Sequence, residues 1–353
     1  MKIASVEVIP YALPFRKPYV TSRGRLDRRE MVLLRLRGDD GLVGLGEAVP
    51  LALRGGIALE RVVAELKGLA GRDSLDEATL QSDALALSAP AQCAALTALL
   101  DLRGRRADAE HPSPPATEQA VECNATLVSG EPEAVAADAL AWLEEGFSSF
   151  KLKLGTGDDV EQVRAVREVV GGEARIRVDA NAAWDVETAK GTLVAIEPFE
   201  VELAEQPVTD MEELAAVGSA TSIPIAGDES IETCTDAEEA VRTGACDFAG
   251  VKLSKVGGPE EAIEIAEVMP SYLSSALDGP VGIAAAAQVA MTLDSVRGGP
   301  GLAHGLATQR LFASTIASVE CELRDGMLHP PSGPGLGVEI DEAALQAHRL
   351  GTR

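Results

Sequence analysis

From residue 120 onward, short apolar runs alternate with amphipathic stretches. VECNATL, SSFKLKLG, RIRVDA, VELAEQP, IPIAGDE, DFAGVKL, YLSSAL and GLAHGL have the length and composition of buried strands. Between them EPEAVAADALAWLEEG, DDVEQVRAVREVVG, DVETAKGTLVAIE, MEELAAVGSA, DAEEAVRTG, GPEEAIEIAEVM and VGIAAAAQVAMTL read as helices. Eight such βα units in about 200 residues predict an α/β fold built as a closed parallel (β/α) barrel. An open doubly wound sheet carries a glycine-rich phosphate loop after its first strand, and LVSGEPEA is no such loop.

The first hundred residues have a different rhythm. Residues 3–13 alternate as a strand, and REMVLLRLRGDDGLVGLGEAVP reads as two strands turning at Gly38-Asp39-Asp40-Gly41. Helical patterns follow over 58–70, 75–87 and 91–104. Strands followed by helices predict a small α+β domain. The proline-rich HPSPPATEQ at 111–119 reads as a stiff boundary. The expected division is 1–115 for the α+β domain and 116–317 for the barrel. Residues 318–353 form a tail that returns to the N-terminal domain.

Charge and cysteine content narrow the function classes. With a formal net charge of −25, a nucleic acid or an anionic membrane is excluded as partner. The cysteines Cys93, Cys123, Cys234, Cys246 and Cys321 are scattered and form no CxxC pair, which argues against a disulfide frame and a zinc site. MKIASVEVIPYALPF lacks the features of a signal peptide, and no apolar run approaches the ~20 residues of a membrane span, so a cytoplasmic protein is expected.

Chemistry recurs with the strands. Lys153, Asp179, Glu205, Asp228 and Lys252 stand 23–26 residues apart, about one βα unit, and each falls at a strand end. Barrel enzymes place their reactive groups there. Three carboxylates form an oxygen-only set that suits Mg²⁺, with Mn²⁺ as a substitute, and leave positions open for a substrate carboxylate. Lys151 and Lys153 are two apart on one strand and share a face. Mutual repulsion beside a cation is expected to lower a lysine pKa and make a usable base. A proton next to a carboxylate is weakly acidic, and its removal yields an enediolate that needs a divalent cation and a second positive group.

These motifs carry a resemblance. KLK, VDAN, EQP, GDES, VKLSKVGG and PGLGVEIDE are similar, over nearly the whole chain, to the muconate-lactonizing-enzyme-like group of the enolase superfamily. A Lys or His base with Mg²⁺ is that superfamily's pattern. The resemblance implies that Asp179, Glu205 and Asp228 hold the metal and that Lys153 and Lys252 are the acid–base pair. Lys151 and Asn181 would stand behind them. It also implies that the N-terminal domain caps the barrel mouth through loops near 15–25 and 50–56.

Within that group, SSALDGPVGIAAA and HGLATQRLF resemble the o-succinylbenzoate synthases, dehydratases of menaquinone biosynthesis. By that likeness Ser275 and the backbone of Gly305 and Leu306 contact a substrate carboxylate. Gly279-Pro280 departs from the small hydroxyl residues expected there. AHGLATQ lacks the aspartate pair usual in dipeptide epimerases. N-succinylamino acid racemisation stays open, as does another isomerase of the superfamily or a non-catalytic metabolite binder. The partner is a small carboxylate, and a homo-oligomer stays open.

Arg25 and Arg54 fall in the expected capping loops and would meet an anionic substrate tail. Phe15, Tyr19 and Leu51 would form an apolar wall. Lys255 reads as a solvated loop charge and His304 as a packing residue, while His111, His329 and His348 read as surface. Trp184 reads as burying itself against a helix start.

Overall fold

Two long strands, β1 (Lys2–Thr21) and β2 (Gly24–Gly38), pair antiparallel, and β3 (Val43–Ala48) adds to β2 across the predicted turn. The computed structural model describes residues 2–21, 24–50, 56–71, 75–110, 120–297 and 301–351. In the turn Gly41 N–H donates to Gly38 C=O at 3.0 Å, with Gly41 at φ 87°, where glycine is favoured. Strand β2 is buried on both faces. Val32, Leu34 and Leu36 meet the domain's helices, while Met31 and Leu33 join Ile9, Tyr11 and Leu13 in the core shared with the barrel. That double burial explains the nearly unbroken apolar run MVLLRL.

The helices of this domain are α1 (Leu59–Ala70), α2 (Glu77–Ala84) and α3 (Ala89–Glu110), with the two-residue β4 (Leu75–Asp76) completing the sheet order β3-β2-β1-β4. Helix α3 is longer than the 91–104 read from sequence. The pattern at 75–87 resolves into β4 and α2, with the Asp76 carboxylate capping the helix through Thr79 N–H at 2.8 Å. Gly44 and Gly46 let α3 approach β3 closely, because a Cβ at either would overlap the Ala98 or Ala94 carbonyl.

The barrel strands follow. VECNATL splits into β5 (Val121–Glu122) and β6 (Ala125–Leu127). Then come β7 (Ser149–Lys153), β8 (Arg175–Asp179), β9 (Val201–Glu205), β10 (Ile225–Gly227), β11 (Phe248–Val251) and β12 (Ser271–Leu273). Strands β6 to β12 form one parallel sheet in sequence order. The helices between them are α4 (Pro132–Glu144), α5 (Asp159–Val170), α6 (Val186–Ile196), α7 (Met211–Gly218), α8 (Cys234–Thr243), the short α9 (Leu253–Val256) and α10 (Pro259–Val268). Helix α11 (Pro280–Arg297) follows β12.

The expected eighth strand, GLAHGL, is reduced to two bridging residues. His304 pairs with Cys123 and Gly305 with Ser274, so the sheet edges join and the barrel closes. Strand β5 leaves the barrel because it pairs antiparallel with the tail at Met327–His329. The tail then runs back to the first strand, where Leu350 N–H donates to Pro10 C=O at 2.9 Å. Among the described residues no helix is long and apolar enough to cross a membrane.

The α+β domain and the barrel meet through a buried acid, Glu47 on β3. Burial and the nearby Asp278 push its carboxyl up to about 7. A carboxyl raised in the folded state contributes stability that is full below the unfolded pKa and is lost as pH rises through the folded one. The stability of the wild type relative to Glu47→Gln should therefore fall by roughly 3 kcal/mol as pH rises from about 4.5 to above 7. Urea unfolding of both proteins across that window checks this, and a flat difference refutes the assignment.

Candidate active site

The register of the sheet aligns the functional side chains. Lys153 on β7 is paired with Asp179 on β8, and Asp179 with Glu205 on β9, so the three form a row at the C-terminal ends of adjacent strands. Asp228 follows β10 directly. Lys252, expected within a strand, sits just past β11 as the N-cap of α9. Lys151, lying one residue pair deeper on β7, shares Lys153's inward face. All six are buried.

Their charges interlock. The Lys151 ammonium donates to Glu205 Oε2 at 2.5 Å and lies 3.0 Å from Asp179 Oδ2. Lys153 donates to Asp179 Oδ2 and, at 3.0 Å, to Asn181 Oδ1. Lys252 donates to Asp228 Oδ2. Burial alone would raise the Asp179 carboxyl, but Lys151 and Lys153 hold it well below the usual range. Asp228 is likewise lowered against burial by Lys252 and Lys255. Glu205 is raised, by burial and then by Asp179.

Burial would lower Lys151 and Lys252, yet both are raised, Lys151 chiefly by Asp179 and Glu205 and Lys252 chiefly by Asp228 and Glu205. The carboxylates outweigh the repulsion between ammonium groups.

Residues that the sequence did not single out support this row. Tyr272 on β12 donates its phenol O–H to Glu205 Oε2, and its ring carries the Arg177 guanidinium 5.2 Å from the centroid. Arg177, also buried, binds Glu202 and the Ala303 carbonyl. Gln206 Oε1 accepts Asp228 N–H at 2.8 Å and Ser230 N–H at 3.1 Å, tying the end of β9 to the loop after β10. Asn181 and Gln206 hold φ of 51° and 38°, left-handed values that non-glycine residues adopt at some cost. No spacing signal in the sequence links Tyr272 to Glu205, 67 residues away.

A divalent cation needs carboxylate oxygens that other donors do not already occupy. Among the described residues, no three carboxylates, imidazoles or thiols converge as a ready-made cage, since Lys151 stands between Asp179 and Glu205. Yet Glu205 Oε1 and Asp228 Oδ1 are buried and accept no hydrogen bond among the described residues. Two anionic oxygens free of hydrogen bonds beside Asp179, with the Lys255 ammonium 3.7 Å from that of Asp228, make a hard oxygen donor set, which fits Mg²⁺. Tyr272→Phe should free Glu205 Oε2 from one donor and change Mg²⁺ affinity by about threefold or more, read by titration calorimetry. An unaltered affinity would show that the phenol does not tune this carboxylate.

Above the row lies a cavity of about 320 Å³. Lys151, Lys153, Lys252 and Asp228 face it from the barrel, and Tyr19, Val49, Ile57, Ala89 and Pro90 face it from the N-terminal domain. Ser275 and Gly305 also line it, as expected. Their expected roles need correction. Gly305 N–H is donated to Leu273 C=O at 2.7 Å, and the Ser275 hydroxyl is held by Asp278 Oδ2 at 2.7 Å, so neither offers a donor to a ligand.

Leu306 is buried and does not line the cavity. Arg25 is exposed, paired with Asp27 at 2.9 Å two residues along its own strand, and does not line the cavity. Arg54 and Leu51 lie outside the described residues, as does His111. Phe15 stacks between Tyr19 and Phe312 and does not reach the cavity. Lys255 is not a solvated loop charge: α9 turns it back so that its ammonium donates to the Asp228 carbonyl at the cavity wall. His304 packs within the barrel, with Nδ1 accepting Leu273 N–H at 3.0 Å. Trp184 is buried and donates to Asp159 Oδ2 at 3.1 Å.

With that geometry in place, comparison with known proteins is decisive for the family. Residues 134–344 match the enolase C-terminal domain-like family, and residues 3–110 match the mandelate racemase/muconate lactonizing enzyme N-terminal domain. The chain belongs to the mandelate racemase/muconate lactonizing enzyme group of the enolase superfamily. It is 31% identical to a D-Ala-D/L-Ala epimerase of Cytophaga hutchinsonii, over 84% of this chain and 85% of that one. It is 29% identical to a chloromuconate cycloisomerase of Pseudomonas putida, over 98% of each. Its fold matches the structure of a dipeptide epimerase from Cytophaga hutchinsonii complexed with Mg and D-Ala-L-Val, with a TM-score of 0.89, 27% identity and 98% of each chain covered.

Proposed function

We infer that this chain is a Mg²⁺-dependent racemase or epimerase, moving a proton at the carbon next to the carboxylate of a small N-substituted amino acid. The observation that carries this reading is the placement of Lys153 and Lys252. They rise from β7 and from the end of β11, four strands apart in a closed ring, and line the same cavity. Two amines on opposite sides of one pocket suit removal of a proton from one face of a planar enolate and return of another to the opposite face.

Asp179, Glu205 and Asp228 would hold the ion. A bound Mg²⁺ supplies positive charge for the enolate oxygens and competes with the ammonium groups for these carboxylates. The protein's own groups do the rest. A neutral lysine Nζ takes the α-proton, and the opposite lysine, as ammonium, delivers one. Asn181 Oδ1 orients the Lys153 amine, and Asp228 Oδ2 orients that of Lys252. The apolar residues of the N-terminal domain exclude water from the substrate tail.

This reading stands ahead of the dehydration to o-succinylbenzoate expected from the sequence, because the relatives named above are epimerases and a cycloisomerase. The segments SSALDGPVG and HGLATQRLF still favour dehydration as the second reading. Proton NMR in D₂O with Mg²⁺ separates them, using L-Ala-L-Phe, N-succinyl-L-phenylalanine and the cyclohexadiene hydroxy acid of menaquinone synthesis. Racemisation places deuterium at the α-carbon of recovered dipeptide or N-succinyl acid. Irreversible loss of the hydroxy acid alone would replace this reading with the dehydratase.

A further inference from the structure

One buried polar cluster lies outside the row of lysines and carboxylates, where the N-terminal domain touches the barrel. Glu47 on β3 reaches across the boundary. Its Oε1 accepts Gly279 N–H at 2.5 Å, and its Oε2 accepts Val281 N–H at 3.3 Å and the Tyr11 hydroxyl at 2.9 Å. Arg29, on β2, donates its Nε to the Ala276 carbonyl at 3.2 Å and its other nitrogens to the Val49 and Pro50 carbonyls. Three strands of one domain therefore hold a single short segment of the other. All three side chains are buried, Tyr11 completely.

The segment they hold is a wall of the pocket. Ser275, Ala276 and Leu277 line the cavity, in the loop after β12, the strand next to β11, at whose end Lys252 sits. Inside the segment Asp278 Oδ2 accepts the Ser275 hydroxyl and Ala276 N–H, each at 2.7 Å, and Ser275 Oγ accepts Asp278 N–H at 2.9 Å and the Thr308 hydroxyl at 2.8 Å. Leu277, with φ 65°, is left-handed although it carries a branched side chain. Such a conformation persists where the surroundings impose it. Gly279 is required as well, because a Cβ there would overlap the Tyr11 hydroxyl and crowd Glu47 Oε2. This accounts for glycine at the position where the family resemblance led us to expect a small hydroxyl residue.

We propose that Glu47, Tyr11 and Arg29 are positioning residues: a clamp through which the N-terminal domain holds the Ser275–Gly279 wall in place and so sets substrate affinity. None of the three lines the cavity, and none touches a lysine or carboxylate of the reactive row. The clamp acts on binding of the substrate tail and leaves proton transfer alone. The inference rests on the reading of the cavity as a substrate site, and its test has one arm that needs no turnover.

The first arm is amide hydrogen exchange in Glu47→Gln. The substituted side chain would offer one acceptor oxygen for three donors, and its amide NH₂ would face backbone N–H groups. Exchange in the 276–284 segment should quicken at least tenfold, with the barrel strands unaffected. The second arm is steady-state kinetics with L-Ala-L-Phe and N-succinyl-L-phenylalanine, whichever the wild type turns over. KM should rise about tenfold while kcat stays within threefold. Tyr11→Phe, which loses only the phenol bond, is the milder variant should Glu47→Gln fold poorly, and should raise KM about threefold.

Unchanged exchange in 276–284 overturns the clamp. So does faster exchange accompanied by a fall in kcat with KM unmoved, since the wall would then not govern binding. A wild type that turns over neither compound overturns the racemase reading instead, and the exchange arm still decides whether the clamp holds the wall.

Discussion

Lys153→Ala is expected to lower racemisation on the order of 10³-fold or more while leaving α-proton exchange of one enantiomer intact. The reason lies in the two-sided pocket. With Lys153 gone, Lys252 still reaches the α-carbon from its own face and exchanges the proton it removes with solvent. Delivery to the other face has no donor, so configuration is retained. Lys252→Ala should show the complementary behaviour with the opposite enantiomer. Incubating each enantiomer with each variant in D₂O, and following both deuterium content and optical rotation, reads the two faces separately. Persistence of full racemisation in Lys153→Ala would remove it from the reaction. Loss of exchange for the same enantiomer in both variants would show that the lysines share a face.

Asp228→Asn is expected to weaken Mg²⁺ binding by about 100-fold or more. Asp228 carries one of the two buried oxygens without a hydrogen-bond partner, and its other oxygen holds Lys252. The amide removes a full negative charge from a site in which desolvation magnifies each charge. It also leaves the buried Lys252 ammonium with its main counter-charge missing. Breaking one side of a buried ion pair typically costs about 3–5 kcal/mol, so a lower melting temperature should accompany the weaker binding. Titration calorimetry with MgCl₂ and a thermal melt measure the two effects. Undiminished Mg²⁺ affinity would exclude Asp228 from the donor set.

What the sequence disclosed follows from what repeats along it. A parallel barrel advances one strand per βα unit, so groups at strand ends recur at nearly constant spacing, and Asp179, Glu205 and Asp228 were visible for that reason. The register then placed Lys153, Asp179 and Glu205 side by side. Local chemistry was harder to read wherever the chain departs from that repeat. Lys255 looked solvated because it follows a strand, but the single turn of α9 folds it back onto Asp228. Arg25 looked like a substrate contact, but it is exposed beside Asp27 on its own strand and does not line the cavity. The links from Tyr272 to Glu205 and from Glu47 to Gly279 join residues 67 and 232 positions apart, and only the folded chain brings them together. Gly279 shows the same limit in reverse: its departure from expectation was visible in the sequence, but the Tyr11 hydroxyl that demands it was not.

In the function proposed, Asp179, Glu205 and Asp228 would share one divalent ion at the floor of a pocket flanked by Lys153 and Lys252. Anomalous diffraction from a crystal soaked in Mn²⁺ tests it most directly. A single strong peak is expected within about 2.0–2.4 Å of an oxygen from each of the three carboxylates, with both lysine amines facing the space above it. A peak bound elsewhere, or one that touches fewer than two of these acids, would contradict it.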